Sequence, residues 1–138
     1  MSIEALIAGR RLERVGADAP GALRRLEAAE RHLVTAGSIL DDDPDAAYAV
    51  LYDAARKAVT AHMLAAGLRV RNAPGAHAAV AEYASSELDA AEAVELDRMR
   101  RSRNKIEYGS TSFTSGQAAH DLENARLIVR AVREALDR

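Results

Sequence analysis

Cysteine and tryptophan are absent from this sequence of 138 residues, and aromatic residues make up only 4% of it. Without cysteine the chain forms neither disulfides nor thiolate metal sites, so we expect a reducing compartment, the cytoplasm. With so few aromatic side chains, the hydrophobic 49% of the sequence must build a core chiefly from alanine, leucine, valine and isoleucine. This composition favours close-packed helices over a sheet.

Several functional signatures are missing as well. No apolar run approaches the roughly 18 residues that a membrane-spanning helix needs, so we expect no membrane anchor. The sequence contains no glycine-rich phosphate loop, no nucleophile elbow and no dinucleotide fingerprint, which removes the common nucleotide and acyl-transfer enzymes. No two histidines have the i, i+4 spacing of a metal-binding helix, so we expect no metal and no cofactor; the histidines are His32, His62, His77 and His120.

Caps and breakers divide the chain into helical segments, whereas strand signals are nearly absent. Asp43 before Pro44 is typical of a helix start, and Thr114 with Gln117 resembles a capping box. The predicted helices are residues 3–15, 20–40, 44–66, 74–84, 87–108 and 115–136, the fifth starting at a Ser86/Asp89 cap. We therefore predict one all-α domain over residues 1–138, an antiparallel four-helix-type bundle with short additional helices, in which residues 1–18 form a candidate accessory N-terminal helix.

The third predicted helix is the most apolar and should lie at the centre of the bundle. Steps of about 100° per residue place one stripe of mostly alanine residues on this helix: Ala47, Leu51, Ala54, Ala58, Ala61, His62 and Ala65. Tyr48 and Tyr52 lie beside this stripe, where core packing with hydroxyls at the edge is the simpler interpretation and rings lining a cleft the alternative. His62 is expected to be a hydrogen-bonded core residue, and His77 and His120 are expected to be exposed near helix starts.

The formal net charge is only −2, so an electrostatic partner must be argued from local clustering. The one dense basic patch lies on the fifth predicted helix and comprises Arg98, Arg100, Arg101, Arg103 and Lys105. On a helical projection Arg98, Arg101 and Lys105 face solvent, either as a hydrated face or as a phosphate-attracting one. Arg100 flanks the apolar stripe.

Arg103 falls inside the apolar stripe of that helix, which Leu96, Met99 and Ile106 define. A buried arginine needs a partner or a ligand, because an unpaired buried charge costs several kcal/mol. Glu107, four residues further on, is its nearest candidate partner. One interpretation is therefore a purely structural Arg103–Glu107 ion pair.

A functional interpretation comes from the sequence Arg103-Asn104-Lys105-Ile106-Glu107-Tyr108, which resembles the R-N-x-x-x-H motif of the HEPN (higher eukaryotes and prokaryotes nucleotide-binding) family. The resemblance covers roughly residues 23–136 and includes the tyrosine-containing helix at residues 47–58 and the turn at residues 67–69. HEPN proteins are small helical bundles, usually homodimers, in which the motifs of two protomers meet in a shared cleft. Many are metal-independent ribonucleases that act as toxins or in antiviral defence.

The resemblance implies roles for individual residues. Arg103 would bind phosphate and stabilise the charge that develops when a ribose 2′-OH attacks, and Arg100 and Asn104 would contribute to RNA binding. Tyr108 replaces the motif histidine, and a phenol with a pKa of about 10 is a poor general base.

Two functions stay open at this point. In the first, the chain is a ribonuclease-like toxin or defence module in which Glu107 is the base, Arg103 the charge stabiliser and Tyr108 a donor to phosphate, with His120 as a further candidate base. In the second, it is a catalytically inactive HEPN module that binds a nucleotide or a protein partner. A nucleotidyltransferase antitoxin that modifies Tyr108 is one such partner.

Overall fold

The computed structural model describes residues 2–109 and 112–138, apart from the side chains at positions 107 and 108. These residues confirm the predicted all-α antiparallel bundle with short additional helices. No helix in this described part is long and apolar enough to cross a membrane. The elements are α1 (Ile3–Ala8), β1 (Leu12–Arg14), α2 (Ala19–Ile39), α3 (Pro44–Ala65), β2 (Leu68–Val70), α4 (Ala76–Glu87), α5 (Glu95–Tyr108) and α6 (Ser115–Leu136).

Helix α3 forms the centre of the bundle and packs against α2, α5 and α6. Its predicted alanine stripe is buried, as Ala54, Ala58 and Ala61 are fully inaccessible to solvent. Alanines on α2 are buried in the same way at a seven-residue spacing, namely Ala22, Ala29 and Ala36. Because these side chains are small, the helix backbones can approach closely, which accounts for a core with few aromatic rings.

The predicted starts of α3 and α6 are confirmed by cap geometry. The Asp43 carboxylate accepts a hydrogen bond of 3.1 Å from the Ala46 N–H, directly before Pro44. At the start of α6, Thr114 and Gln117 form both hydrogen bonds of a capping box. These caps satisfy N–H groups that have no partner within the helix, and they fix the points at which α3 and α6 begin.

The prediction of a first helix over residues 3–15 is wrong. Helix α1 ends at Ala8, and Arg10 adopts a left-handed φ of 59°. The chain then forms β1, which pairs antiparallel with β2 and brings Glu13 opposite Arg69. Gly67, with a φ of 76°, makes the turn into β2. A three-residue strand has no periodicity of its own, and it forms here only because a partner strand is available.

The boundaries between α4 and α5 also differ from the prediction of helices at residues 74–84 and 87–108. Helix α4 extends to Glu87, so Ser86 lies inside it and does not cap the next helix. A short 3₁₀ helix, Ala91–Val94, precedes α5. The connecting segment is not one continuous helix, because Leu88 adopts an extended backbone; Leu88 and Ala93 are buried against the core.

His62 and Tyr83 form a polar pair at the edge of this core. The His62 Nδ1 atom lies 2.7 Å from the Tyr83 hydroxyl, and the rings meet edge to face. Burial lowers the pKa of His62, although the nearby Glu87 carboxylate acts in the opposite direction. The expectation of a hydrogen-bonded core histidine is therefore confirmed.

This pair predicts a loss of stability in mild acid. Because the folded-state pKa of His62 is lowered, the unfolded chain binds a proton where the folded chain does not. The free energy of unfolding should therefore fall as the pH drops from about 7 to about 5, through the ordinary histidine pKa. Urea unfolding should show a smaller acid-induced loss for His62→Gln than for the wild type. The exposed His120→Gln variant should behave like the wild type, and an equal loss in all three proteins would contradict the prediction.

Candidate functional site

Arg103 lies half-buried on α5, at the edge of the core as its helical position predicts. Its guanidinium carbon is 5.6 Å from the centre of the Tyr52 ring on α3, within range of a cation–π contact. On the same helix Leu96 and Met99 are almost fully buried. Arg103 therefore rests on an aromatic face and is held between two packed helices.

A cavity of about 370 Å³ opens beside Arg103, between the start of α3 and the end of α5. One wall is aromatic, because the Phe113 ring stacks on Tyr48 with centroids 3.7 Å apart. The Phe113 N–H donates a 2.7 Å hydrogen bond to Asp45, which ties this loop to α3. The cavity is large enough for a small organic ligand. Its lining residues are Asp43, Asp45, Ala46, Tyr48, Ala49, Arg103, Ile106 and Phe113.

Three arginines lie close enough to Tyr52 for their charges to act on its hydroxyl, and we call Arg56, Arg100 and Arg103 the arginine cluster. Burial raises the pKa of Tyr52 to about 12, although the positive charges of the cluster act to lower it. The Tyr52 hydroxyl lies 3.1 Å from Nδ1 of His77 at the start of α4. Burial lowers the pKa of His77, and the charges of the cluster lower it further. Helices α3, α4 and α5 thus each contribute side chains to one half-buried, positively charged site.

Carboxylates hold two members of the cluster in place. Asp53 accepts a 2.6 Å hydrogen bond from Arg56, and Asp97 accepts a 2.9 Å hydrogen bond from Arg100. Burial opposes ionisation of Asp53, but Arg56 outweighs that effect and keeps its pKa below the ordinary value. The Nε atom of Arg56 is buried without a hydrogen-bond partner among the described residues. The cluster is therefore oriented by its neighbours.

Arg98 leaves 42% of its side chain exposed, but the prediction of a solvent-facing charge missed its buried partner. Its guanidinium makes two hydrogen bonds to Asp121 on α6, of 2.5 Å and 3.1 Å. Asp121 is only 4% exposed and also accepts a 2.7 Å hydrogen bond from the Tyr48 hydroxyl. A projection of one helix could not reveal that a buried carboxylate lies on the neighbouring helix. The exposure predicted for Arg101 and Lys105 is confirmed.

Asp121 is charged in spite of its burial. Burial alone raises the pKa of this carboxyl, but hydrogen bonds from Arg98, Tyr48 and Asn124 outweigh it and hold the pKa below its ordinary value. The same contact raises the pKa of the Arg98 guanidinium. Arg98 therefore has a structural partner, which separates it from the arginine cluster.

The remaining predicted residues are placed as follows. Asn104 and Arg100 are half-buried on α5. Glu107 and Tyr108 belong to the last turn of α5, but their side chains lie outside the described residues, so their predicted roles stay predictions. His120 is exposed on α6 and lines a separate cavity of about 340 Å³ with Arg98, Ser102 and Phe113 among others.

Sequence reasoning missed Arg56 and His77 as parts of the site. Tyr52 and Arg56 are four residues apart on α3, so their shared face was available as a signal. No signal in the sequence pointed to His77, because only the packing of α4 against α3 brings it to Tyr52. The prediction that His77 is exposed is wrong, since the residue is half-buried.

No group of three or more histidine, aspartate or glutamate side chains is arranged to hold a metal ion within the described ranges. The chain matches no known family model, no curated protein and no solved structure. Its function must therefore be argued from the site itself.

The Asp121 contacts predict a clear difference between two aspartates. Asp121→Asn keeps the size of the side chain but removes the charge that Arg98 binds, so it should cost about 2–3 kcal/mol of unfolding free energy. Asp97→Asn removes a partly exposed partner of Arg100 and should cost less than about 1 kcal/mol. Urea unfolding at neutral pH measures both values. Equal losses of unfolding free energy in the two variants would contradict the prediction that burial strengthens the Asp121 contact.

Proposed function

We propose that the chain is a HEPN-type, ribonuclease-like toxin or defence module of the cytoplasm, and that it binds RNA phosphates at the arginine cluster. The observation that carries this proposal is the position of Arg103, half-buried on the Tyr52 ring at the mouth of a cavity. Arg56 and Arg100 lie close enough to act on the same tyrosine. Guanidinium groups bind phosphate oxygens in a forked geometry, so this arrangement suits RNA backbone recognition.

The rigidity of the site supports the proposal. Arg56 and Arg100 are held by Asp53 and Asp97, and all three arginines lie on packed helices. Donors that are already oriented need little reorganisation when charge develops on a ligand. Such a site suits an anionic transition state as well as an anionic ground state.

The proposed reaction is an internal transfer within RNA. The ribose 2′-oxygen attacks the adjacent phosphorus, its proton passes to a base, and the bond to the 5′-oxygen breaks as that oxygen gains a proton. The products are a 2′,3′-cyclic phosphate and a 5′-hydroxyl. Arg103 stabilises the charge on the phosphoryl oxygens, and the predicted roles of Glu107 as base and Tyr108 as donor complete the step.

A specific observation also favours the alternative function, an inactive HEPN module that binds a nucleotide. The cavity beside Arg103 combines an aromatic wall, Tyr48 and Phe113, with a cationic edge. A base and a phosphate could occupy these two parts together. A protein partner such as a nucleotidyltransferase antitoxin belongs to this second function.

Cleavage of RNA in the presence of EDTA tests the first function. The wild type should produce fragments with cyclic phosphate ends, and Arg103→Ala should cleave at least about 100-fold more slowly, because it loses a charge-stabilising donor. Arg101→Ala is the matched control, since Arg101 is an exposed arginine two residues away on the same helix. It should retain most of the wild-type rate.

Three results would contradict the first function. RNA or nucleotide binding without cleavage would favour the inactive module. Equal losses in Arg101→Ala and Arg103→Ala would indicate a diffuse charge effect instead of a defined site. Absence of binding, at low salt and with wild-type melting temperatures in both variants, would refute RNA recognition altogether.

The proposal includes a homodimer, which the family resemblance supports. Sedimentation equilibrium should give twice the protomer mass of 14.8 kDa at micromolar concentration. A protein that is monomeric at every concentration tested would contradict a shared cleft.

A further inference from the structure

We propose that His77 belongs to the phosphate site of the arginine cluster, and that binding of a phosphodiester there is coupled to protonation of His77. This inference rests on the proposed function, because it uses the same phosphate-binding arginines, Arg100 and Arg103. It adds the imidazole of His77 on α4, which lies outside the motif on α5, and it predicts that this imidazole takes up a proton when the ligand binds.

Tyr52 is the residue that joins His77 to the cluster. Its ring carries the Arg103 guanidinium on one face, and its hydroxyl lies 3.1 Å from Nδ1 of His77. Tyr52 itself is only 1% exposed, whereas Arg103 and His77 are half-buried. Arg103 and His77 thus contact the same tyrosine, one over its ring and the other at its hydroxyl.

The hydrogen bond to Tyr52 also determines which nitrogen of His77 faces a ligand. The contact between the Tyr52 hydroxyl and Nδ1 admits either direction, and this inference uses the tautomer in which the hydroxyl donates to Nδ1 of a neutral imidazole. The imidazole proton is then on Nε2, which can donate to a phosphate oxygen. When His77 is protonated, Nδ1 donates to the Tyr52 oxygen instead, so proton uptake does not break the contact.

The charges around His77 make its protonation depend on a ligand. The charged groups that act on it include Asp53 and Arg56 from α3 and Arg100 and Arg103 from α5. The arginine charges disfavour a further positive charge on the imidazole, although Asp53 and the Asp97 carboxylate paired with Arg100 offset part of them. A bound phosphodiester offsets part of this charge, so protonation becomes easier, and by linkage the protonated site binds the phosphodiester more tightly.

Arg56 supplies an independent indication of a ligand. Its Nε atom is buried without a hydrogen-bond acceptor among the described residues, although a second nitrogen of the same guanidinium binds Asp53. A buried N–H without an acceptor is unfavourable. An oxyanion or an ordered water that gained access to this N–H would satisfy it.

The test uses the full chain and a 2′-O-methyl oligouridylate as the probe. The probe has no free 2′-OH and is not cleaved, and its phosphodiesters keep one charge each between about pH 6 and about pH 8, so any pH dependence belongs to the protein. Affinity should rise severalfold as the pH falls across this range, and calorimetry in two buffers should show proton uptake. The NMR titration midpoint of the His77 ring should move to higher pH when the probe is added.

The variants separate this inference from the proposed function. His77→Gln should bind the probe but lose the pH dependence and the proton uptake, whereas His120→Gln should behave like the wild type. If His77→Gln keeps the full pH dependence while Arg103→Ala loses binding, RNA recognition stands and the role of His77 is refuted. If neither the wild type nor Arg103→Ala binds the probe at either pH, both proposals fail. A His77 midpoint that the probe leaves unchanged also refutes the coupling.

Discussion

The buried carboxylate of Asp121 is the contact on which the arrangement of the site depends. It binds Arg98 of α5 and Tyr48 of α3 from its own position on α6, so three helices meet at one charge. Helix α5 is rich in charged residues, and among its described side chains only Leu96 and Met99 are nearly inaccessible to solvent. The apolar contribution of these described side chains to the core is small. The ion pair therefore has a large share in fixing where α5 lies, and with it where Arg103 meets Tyr52.

The arginines of α5 differ in role although they share one helix and one chemistry. Arg98 neutralises a buried charge, Arg101 extends into solvent, and Arg100 and Arg103 lie at the edge of the core beside Tyr52. The neighbouring helix sets each role, because α6 presents a carboxylate while α3 presents an aromatic face. A count of basic residues in this segment would treat all of them as one patch.

The sequence was sufficient for features that depend on local chemistry or on one periodic face. The caps at Asp43 and Thr114, the buried stripe of α3 and the position of Arg103 follow from spacing alone. Features that need a distant partner were missed. The strand at Leu12–Arg14 requires Leu68–Val70, Arg98 requires Asp121, and His77 requires Tyr52. None of these pairings can be predicted from either segment alone.

The alanine-lined contact between α2 and α3 has a consequence for how the protein tolerates change. Ordering an alanine side chain costs no rotamer entropy, so each buried alanine stabilises the bundle without that loss. The same close approach leaves no space for larger side chains. A larger residue at Ala29 or Ala54, both fully buried, would force the backbones apart. Sequence drift at these positions should be confined to exchanges among the smallest residues.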